Sequence, residues 1–508
     1  MHSNSFACGI QKLYIRPHFD WPHFPMTLPT ELFGDLELIQ SKQIEEREIL
    51  SVADLTDDKI GQEICVRAHA ASVRGKGKCG FLLLRTQYAT IQACVFAGGD
   101  IPNAMAKFVQ QIPVESLVEV YGTLAKTDKP VTSATKQNME IQIKRCYVVS
   151  RAQPTPIVVA DCQRVSEEDD EGPASTDKTR PHVTQKARLD NRVLDLRTTT
   201  NQAIFKIQSK VCQYFREFLY TKNFQEIHTP KLIATASEGG SNVFEVKYFN
   251  TKAFLAQSPQ LYKQMCVVSG MPRVFEIGPV FRAENSFTHR HLTEFTGLDC
   301  EMEIKLHYHE ALNLFKDLLS NIFNRLLAEC REEIDAVKAQ FPSEDVVVNP
   351  IILPFQEAVK LLREAGMKMD DYQDLTSELE KKLGEIVKEK YNTDFYILDK
   401  FPAAVRPFYT MPDPENPLYS NSFDIFLRGE EIVSGAQRIH DSNLLLKRAA
   451  ELGVNLDPIK EYVDCFKYGA PPHAGLGCGL DRITFLFLGL KNVRRGSLFP
   501  RDPSRLTP

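Results

Sequence analysis

Val280 to Glu303 reads VFRAENSFTHRHLTEFTGLDCEME, a strand, a polar loop and a returning strand. Arg282 and Glu284 are two apart and share a face of the first strand, and the loop Asn285 to His291 carries amides, hydroxyls, two histidines and Arg290. On the return, Leu298, Cys300, Met302 and Ile304 fall on one side and Asp299, Glu301 and Glu303 on the other, as in a sheet with one apolar and one functional face. A guanidinium at such a surface suits a phosphate, because its planar fork gives two parallel charge-assisted hydrogen bonds, and Phe295 can stack on a flat ring nearby. The acidic face can take a cation or an amine. Periodicity alone fits a β-hairpin with a solvated charged face equally well.

The chain has 508 residues, which at roughly 150 residues per domain predicts two to four units with ample core. A net charge of only −5 means that any nucleic-acid contact comes from local patches, which disfavours a protein that only binds nucleic acid and leaves an enzyme with an RNA substrate open. The twelve cysteines contain no C-x-x-C pair and several sit in apolar runs, so they read as reduced core residues rather than a disulfide framework or zinc site. The HxH pairs His289/His291 and His307/His309 lack further ligands and read as incidental. No apolar run reaches the ~18 residues that a membrane span needs. Lys12 and Arg16 in an acid-free start give a weak transit-peptide signal, and Met26 is an alternative start.

Residues 1–54 read as an N-terminal extension, partly disordered. Residues 55–151 hold five short β-rich runs with a helix-compatible segment, AMAKFVQQI, after the third, the pattern of an OB barrel. Such barrels bind single-stranded nucleic acid on strands two and three, where Phe81 and Gln92 fall; without further information Phe81 in the run FLLL also reads as core. Residues 152–190, with acid, proline and glycine clusters, read as a linker. Residues 191–508 alternate amphipathic helices with strands, an α+β unit.

Within that unit, Ile204, Ile207, Val211, Phe215 and Phe218 recur at helical spacing ahead of FQEIHTPKL. In AFLAQSPQLYKQM, Ser258 is a good N-cap and Pro259 a good first helical residue, which puts Gln260 and Lys263 on one helix face. In isolation, Lys263 reads more simply as exposed. SFDIFLRGEEIVSGAQRIHD reads as paired strands; Glu431 and Ser434 can share a face only if a bulge or twist intervenes, which Gly435 makes inexpensive. APPHAGLGCGLDRITFLFLGL is a glycine-rich approach to a helix near Leu480 whose N-terminus can face a phosphate or purine.

The stretch FRAENSFTHRHLTEFTGLDCE resembles motif 2 of the class II aminoacyl-tRNA synthetases, and its aspartyl-specific members in particular. The helix and strand before Pro230 resemble motif 1, QSPQLYKQ the aspartate-recognition segment, and GLDRI motif 3, and the resemblance runs in order over residues 55–508. It implies an antiparallel-sheet catalytic domain flanked by helices, preceded by the OB-fold anticodon-binding domain. It also implies a cytoplasmic homodimer, joined through motif 1 around Pro230, that uses ATP and Mg2+ to attach L-aspartate to tRNA-Asp. From periodicity alone the motif 1 helix packs equally well on its own core.

For the site, the resemblance implies that Glu238, Gln260, Lys263, Arg282, Ser434 and Arg438 bind aspartate, with Glu238 on its ammonium. Arg282, Glu284, Arg290, His291, Leu292, Phe295, Glu431, Gly479, Leu480, Asp481 and Arg482 are implied at ATP, with Arg282, Glu431 and Arg482 catalytic. Asp424, Glu431 and Ser434 are implied at the metal, and Phe81, Gln92 and Glu115 at the anticodon. The sequence departs from the family's usual pattern in GLD for GLE, in Leu476 where glycine is commoner, and in lacking a lysine-rich N-terminal helix. A catalytically silent tRNA-binding paralogue is disfavoured by the joint presence of Arg282, Glu431 and Arg482, and an asparagine or lysine enzyme by QSPQLYK with Arg438.

Overall fold

The computed structural model describes residues 31–41, 47–164, 183–234 and 243–508, in two compact units, Met1–Thr155 and Pro156–Pro508. Glu238, most of the expected N-terminal extension and the acidic part of the expected linker lie outside the described residues. One face of the second unit's main sheet is packed against the main hydrophobic core, and the other carries the site, flanked by further helices.

The first unit is a barrel of strands β1 (Phe33–Asp35), β2 (Glu63–Lys76), β3 (Cys79–Thr86), β4 (Ala89–Phe96), β5 (Leu117–Lys126) and β6 (Met139–Ser150), with helix α1 (Asn103–Gln110) after β4. The strands run in the order β1-β6-β4-β3-β2-β5, and β5 also pairs with β6, which closes the barrel and removes its open edges. Alternation sends Leu82, Leu84, Ile91 and Ala93 inward and leaves Phe81 and Gln92 half-exposed outside. The barrel reaches further back than residue 55: β1 pairs in parallel with β6, and Val52 and Leu55 are fully buried in the barrel core.

The second unit opens with helices α2 (Gln185–Asp190), α3 (Arg192–Asp195) and α4 (Thr199–Thr221), so the end of the expected linker is helical. After the short strands β7 (Gln225–Glu226) and β8 (Leu232–Ile233), β9 (Glu245–Tyr248) and β10 (Thr251–Leu255) complete a small sheet with β8. Helix α5 (Gln260–Val268) leads to β11 (Arg273–Phe281) and β12 (Glu294–Glu303). Helices α6 (His309–Glu329) and α7 (Arg331–Lys338) precede β13 (Ile351–Pro354), α8 (Phe355–Glu364), α9 (Ser377–Tyr391) and β14 (Phe395–Asp399). The chain ends through β15 (Ser422–Leu427), β16 (Glu430–Gln437), α10 (Ser442–Glu451), α11 (Lys460–Cys465), β17 (His473–Gly479) and α12 (Leu480–Phe487).

The main sheet has the order β13-β14-β15-β16-β17-β12-β11-β7, antiparallel except at its two ends. Leu298, Cys300 and Met302 join Ile425, Val433 and Leu476 on the covered face, packed against α4, α6 and α12, and Asp299 and Glu301 project from the opposite face. The stripe Ile204, Ile207, Val211 and Phe215 of α4 is fully buried in this core, with Phe218 half-buried at its margin, so that face of α4 is spent within the chain. Among the described residues every cysteine is free, as an unbridged core pattern requires, and no helix is long and apolar enough to cross a membrane.

The site-bearing face is tight where β12 meets β17. Gly475 pairs with Glu301, and a Cβ there would sit 2.0 Å from Glu301 Oε2 and 2.4 Å from the Cys300 carbonyl oxygen. Only glycine leaves room for the Glu301 carboxylate. Gly475→Ala is expected to lower stability by about 1–3 kcal/mol, read as the urea midpoint at constant slope, because neither neighbour can yield without breaking the strand pair.

Candidate active site

The floor of the site is a cluster of four buried charges. Helix α5 starts one residue later than Pro259: Pro259 is the N-cap, and Ser258 Oγ accepts from the Gln260 amide at 3.3 Å. Lys263, three residues on, is 2% exposed and not a surface lysine. Its Nζ donates to Asp299 Oδ1 at 2.9 Å and to the Leu476 carbonyl at 2.8 Å, and lies 3.7 Å from Glu301 Oε2. Arg438 Nε donates to Glu301 Oε1 at 3.1 Å, and its guanidinium lies 5.5 Å from the Tyr409 ring centroid. The acidic face of β12 therefore takes cations from its own chain. Burial makes this pairing obligatory, since removing one partner leaves an uncompensated charge in a dry environment.

Above this floor opens a cavity of about 450 Å³ lined by five arginines, Arg282, Arg290, Arg406, Arg438 and Arg482, with Gln260, Phe295, Asp299, Glu431 and Ser434. Lys263 is not in the lining; it acts on the cavity from behind Asp299. Arg282 lies one residue past the end of β11 rather than on it, yet its amide still donates to the Thr293 carbonyl at 2.9 Å. Its guanidinium is 3.9 Å from Glu284 Oε1 and 5.8 Å from the Phe295 ring centroid. Gly479, the N-cap of α12, sits against both Phe295 and Arg482, since a Cβ there would meet Phe295 Cδ2 at 3.8 Å and Arg482 Cβ at 3.5 Å. Phe295 and Arg482 thus flank one stretch of bare backbone, a slot for a flat ring.

The other expected nucleotide residues have mixed roles. Arg290 lines the cavity, but its NH1 donates to Glu380 Oε2 at 2.7 Å, and the same oxygen accepts from the Glu431 amide at 3.2 Å. His291 Nδ1 bonds to Thr288 Oγ1 and faces Ser286 Oγ at 3.3 Å; burial lowers its pKa and favours the neutral ring. Leu292 and Leu480 belong to the apolar core, although Leu292 also reaches the cavity wall. Asp481 accepts from the Thr296 amide at 3.1 Å, so it braces motif 2 against motif 3, and burial pushes its carboxyl up to about 6. Leu476 is buried in the core and contributes its carbonyl to Lys263.

The expected metal residues meet on one wall. Asp424 lies opposite Ser434 in the β15–β16 register. The predicted bulge is present, but at Ile432 and not at Gly435: Val433 pairs with Ile425 and Glu431 with Phe426, leaving Ile432 unmatched. Gly435 instead makes room for the Phe423 ring, which a Cβ would meet at 2.4 Å. Arg406 donates to Asp424 Oδ2 at 2.7 Å and to Ser434 Oγ at 2.8 Å. Asp424 Oδ1 is buried without a partner, and burial, with the charge of Glu431 adding to it, pushes this carboxyl up to about 7 against the pull of Arg406. Two carboxylates and a hydroxyl, with one oxygen left over, fit a hard cation that draws its remaining ligands from phosphate and water. Among the described residues no group of three or more His, Cys, Asp or Glu is placed to hold a metal by itself, and the HxH pairs bind carboxylates instead, His289 to Glu430 and His309 to Asp399.

On the barrel, Phe81 packs under the Arg74 guanidinium at 5.5 Å and edge-on to Phe96 at 5.8 Å. Gln92 accepts from Arg74 at 2.8 Å and donates to Glu140 at 2.9 Å. Glu115 does not join this face: it is 4% exposed, and both its oxygens are held by Arg85, at 2.7 and 3.1 Å. A buried carboxylate clamped by a bidentate guanidinium has no free acceptor to offer a base. Arg74, Phe96 and Glu140, like Arg406 in the cavity and Glu380 behind Arg290, were not singled out from the sequence.

The sequence pattern described as tRNA synthetases class II (D, K and N) matches residues 184–503, and that described as the OB-fold nucleic acid binding domain matches residues 63–149. The chain is 52% identical over 481 residues to the cytoplasmic aspartate–tRNA ligase of Homo sapiens, covering 94% of this chain and 95% of that one. The chain belongs to the aspartate–tRNA ligase family of class II synthetases. The solved aspartyl-tRNA synthetase of Entamoeba histolytica superposes with a TM-score of 0.86 at 44% identity, over 97% of this chain and 100% of that one. The asparaginyl-tRNA synthetase of Pyrococcus horikoshii, solved with asparaginyl-adenylate, matches at 0.79 and only 26%, over 91% of this chain and 100% of that one. Members of this class use ATP as a substrate.

The Asp481 carboxyl yields a prediction whose sign is fixed. Its folded pKa of about 6 lies above the ordinary 3.8, so the folded state bears a cost that is absent below about pH 3.8, grows as pH rises from there to about 6 and is constant above. Asp481→Asn keeps an oxygen for the Thr296 amide and removes that cost. The variant is expected to gain about 2 kcal/mol on the wild type between pH 4.5 and 7.5, read from urea midpoints at both pH values. A pH-independent difference would show that the carboxyl is not held buried and charged.

Proposed function

We propose that this protein activates L-aspartate with ATP and transfers it to the 3′ end of tRNA-Asp in the cytoplasm, as a homodimer. The observation that carries the reading is the convergence of Lys263 and Arg438 on Glu301, at the floor of the cavity that Arg282 overlooks. Arg438 in the cavity lining, with Lys263 adding its charge from behind Asp299, suits the side-chain carboxylate of aspartate, and a neutral asparagine amide forfeits the charge-assisted bond. Gln260 spends its amide nitrogen on Gln264 and lines the cavity, so its carbonyl oxygen is suited to the amino-acid ammonium. The Phe295–Arg482 slot suits adenine, with Arg290, His291 and Glu284 about the phosphates.

In the first step the aspartate α-carboxylate attacks the α-phosphorus of ATP, the bond to the bridging oxygen breaks, and pyrophosphate leaves. Arg282 takes up the charge that grows on the α-phosphate oxygens. Asp424, Glu431 and Ser434 would hold Mg2+, which supplies charge neutralisation of the phosphates when bound. In the second step the terminal 3′-hydroxyl of the tRNA attacks the acyl carbonyl and AMP leaves. Neither step needs a nucleophilic side chain, so the rate enhancement comes from alignment and fixed charge.

The tRNA reading rests on the outward face around Phe81, Gln92 and Arg74, which offers a stacking ring and polar groups to anticodon bases. Dimerisation through the segment around Pro230 is supported by the exposure of Tyr220 and Leu232 on either side of it, at 52% and 50%.

In ATP–pyrophosphate exchange, Lys263→Ala and Arg438→Ala are each expected to lose about ten- to a hundredfold in kcat/KM for aspartate. Unchanged exchange in both would remove the amino-acid assignment. Phe81→Ala is expected to leave exchange untouched and to raise the KM for tRNA-Asp about fivefold or more, the loss of one stacked base; an unaltered tRNA KM would clear this face of a role in the anticodon.

A further inference from the structure

Behind Gln260 runs a chain of hydrogen bonds whose direction is set at its far end. His473, the first residue of β17, is fully buried and lies flat against Phe466, with ring centroids 6.1 Å apart and planes at 16°. Its Nδ1 is 2.8 Å from the Pro471 carbonyl oxygen, which can only accept, so Nδ1 carries the proton. Burial favours the neutral ring, which leaves Nε2 as an acceptor. At 2.9 Å from it stands Gln264 Nε2, on a side chain with no exposure. Gln264 must therefore turn its NH2 to the imidazole and its Oε1 away, where Gln260 Nε2 at 2.9 Å and the Tyr462 hydroxyl at 3.0 Å both donate to it. Each step forces the next, and the last one turns the Gln260 carbonyl oxygen toward the cavity.

We infer that His473 is a positioning residue for amino-acid recognition: through Gln264 it fixes which end of the Gln260 amide meets the substrate. This rests on the assignment of Gln260 to the substrate ammonium. An amide can present an acceptor or a donor from nearly the same shape, and only the acceptor attracts an ammonium. With the relay broken, Gln260 is free to turn its NH2 outward, and selection for the ammonium is lost while the carboxylate contacts stay.

The test uses the full chain in ATP–pyrophosphate exchange, with succinate, which is aspartate without its ammonium, as a competing inhibitor. Gln260→Ala, His473→Phe and Gln264→Met are each expected to raise the aspartate KM about tenfold, with the succinate inhibition constant and the ATP KM held within about twofold. Gln264→Glu, whose two oxygens only accept, keeps Gln260 in its native direction while drawing a proton onto His473 Nε2 to pair with the new carboxylate, and is expected to stay within about threefold of the wild type. An unchanged aspartate KM in Gln260→Ala overturns the subsite beneath the inference. A raised one in Gln260→Ala, with none in His473→Phe or Gln264→Met, overturns the relay alone. Parallel losses for aspartate and succinate also overturn it, because they report a loosened pocket and not a reversed amide. Should His473→Phe fail to fold, Gln264→Met decides by the same two readouts.

Discussion

Glu301 is fully buried on the open face of the sheet and holds Arg438 at 3.1 Å while standing 3.7 Å from Lys263. Two cations cannot share a dry floor unaided, since like charges about 4 Å apart cost on the order of 4 kcal/mol even at an effective dielectric constant of 20. Glu301 and Asp299 together balance Lys263 and Arg438, which leaves a neutral cluster with directed donors. On the proposed reading, a substrate carboxylate entering above would meet the Arg438 guanidinium already held in place, with no reorganisation left to make. Glycine at position 475 follows from the same need, because the Glu301 carboxylate fills the space a side chain would take.

The nucleotide side is built differently. Arg282 stands at a strand end with 43% of its side chain exposed and its nearest carboxylate at 3.9 Å, whereas the Lys263 side chain is 2% exposed. On the proposed reading, the floor that would take the amino acid is fixed by strands and buried pairs, and the side that would take the phosphates keeps side chains that can still settle on a ligand. Specificity between a carboxylate and an amide needs fixed charge, while a flexible triphosphate is met well enough by long cations that adjust.

What was legible in the sequence follows from which constraints are local. Alternation in Leu298 to Met302 gave the two faces of β12, because one face is buried and a period of two leaves no other register. The requirement for a bulge between Glu431 and Ser434 also followed from the period, but not its place. It falls at Ile432 because Ile432 and Val433 both enter the core, which two adjacent residues of a regular strand cannot do. Lys263 reads as a surface lysine until Asp299, thirty-six residues on, supplies its partner. Glu380, on α9, holds Arg290 across ninety residues. Glu115 failed in the opposite sense: the turn that carries it says nothing of Arg85, which takes both its oxygens. Residues that act through a distant partner leave no local pattern, and those are the ones that had to be seen in three dimensions.

The wall formed by β15 and β16 joins the two halves of the cavity. With Asp424 opposite Ser434 and Ile432 bulged, Glu431 and Ser434 face one way, and Arg438 follows four residues beyond Ser434, about 13 Å along an extended chain. One strand thus sets the separation between the phosphate end and the carboxylate end. Arg406 bridges Asp424 and Ser434 yet leaves Asp424 Oδ1 bare, and the carboxyl remains at about 7 in spite of it. One guanidinium therefore does not offset the burial of this carboxylate. On the proposed reading, a cation arriving with its phosphates would supply the positive charge that this wall lacks, whereas at the floor the charges already balance within the chain.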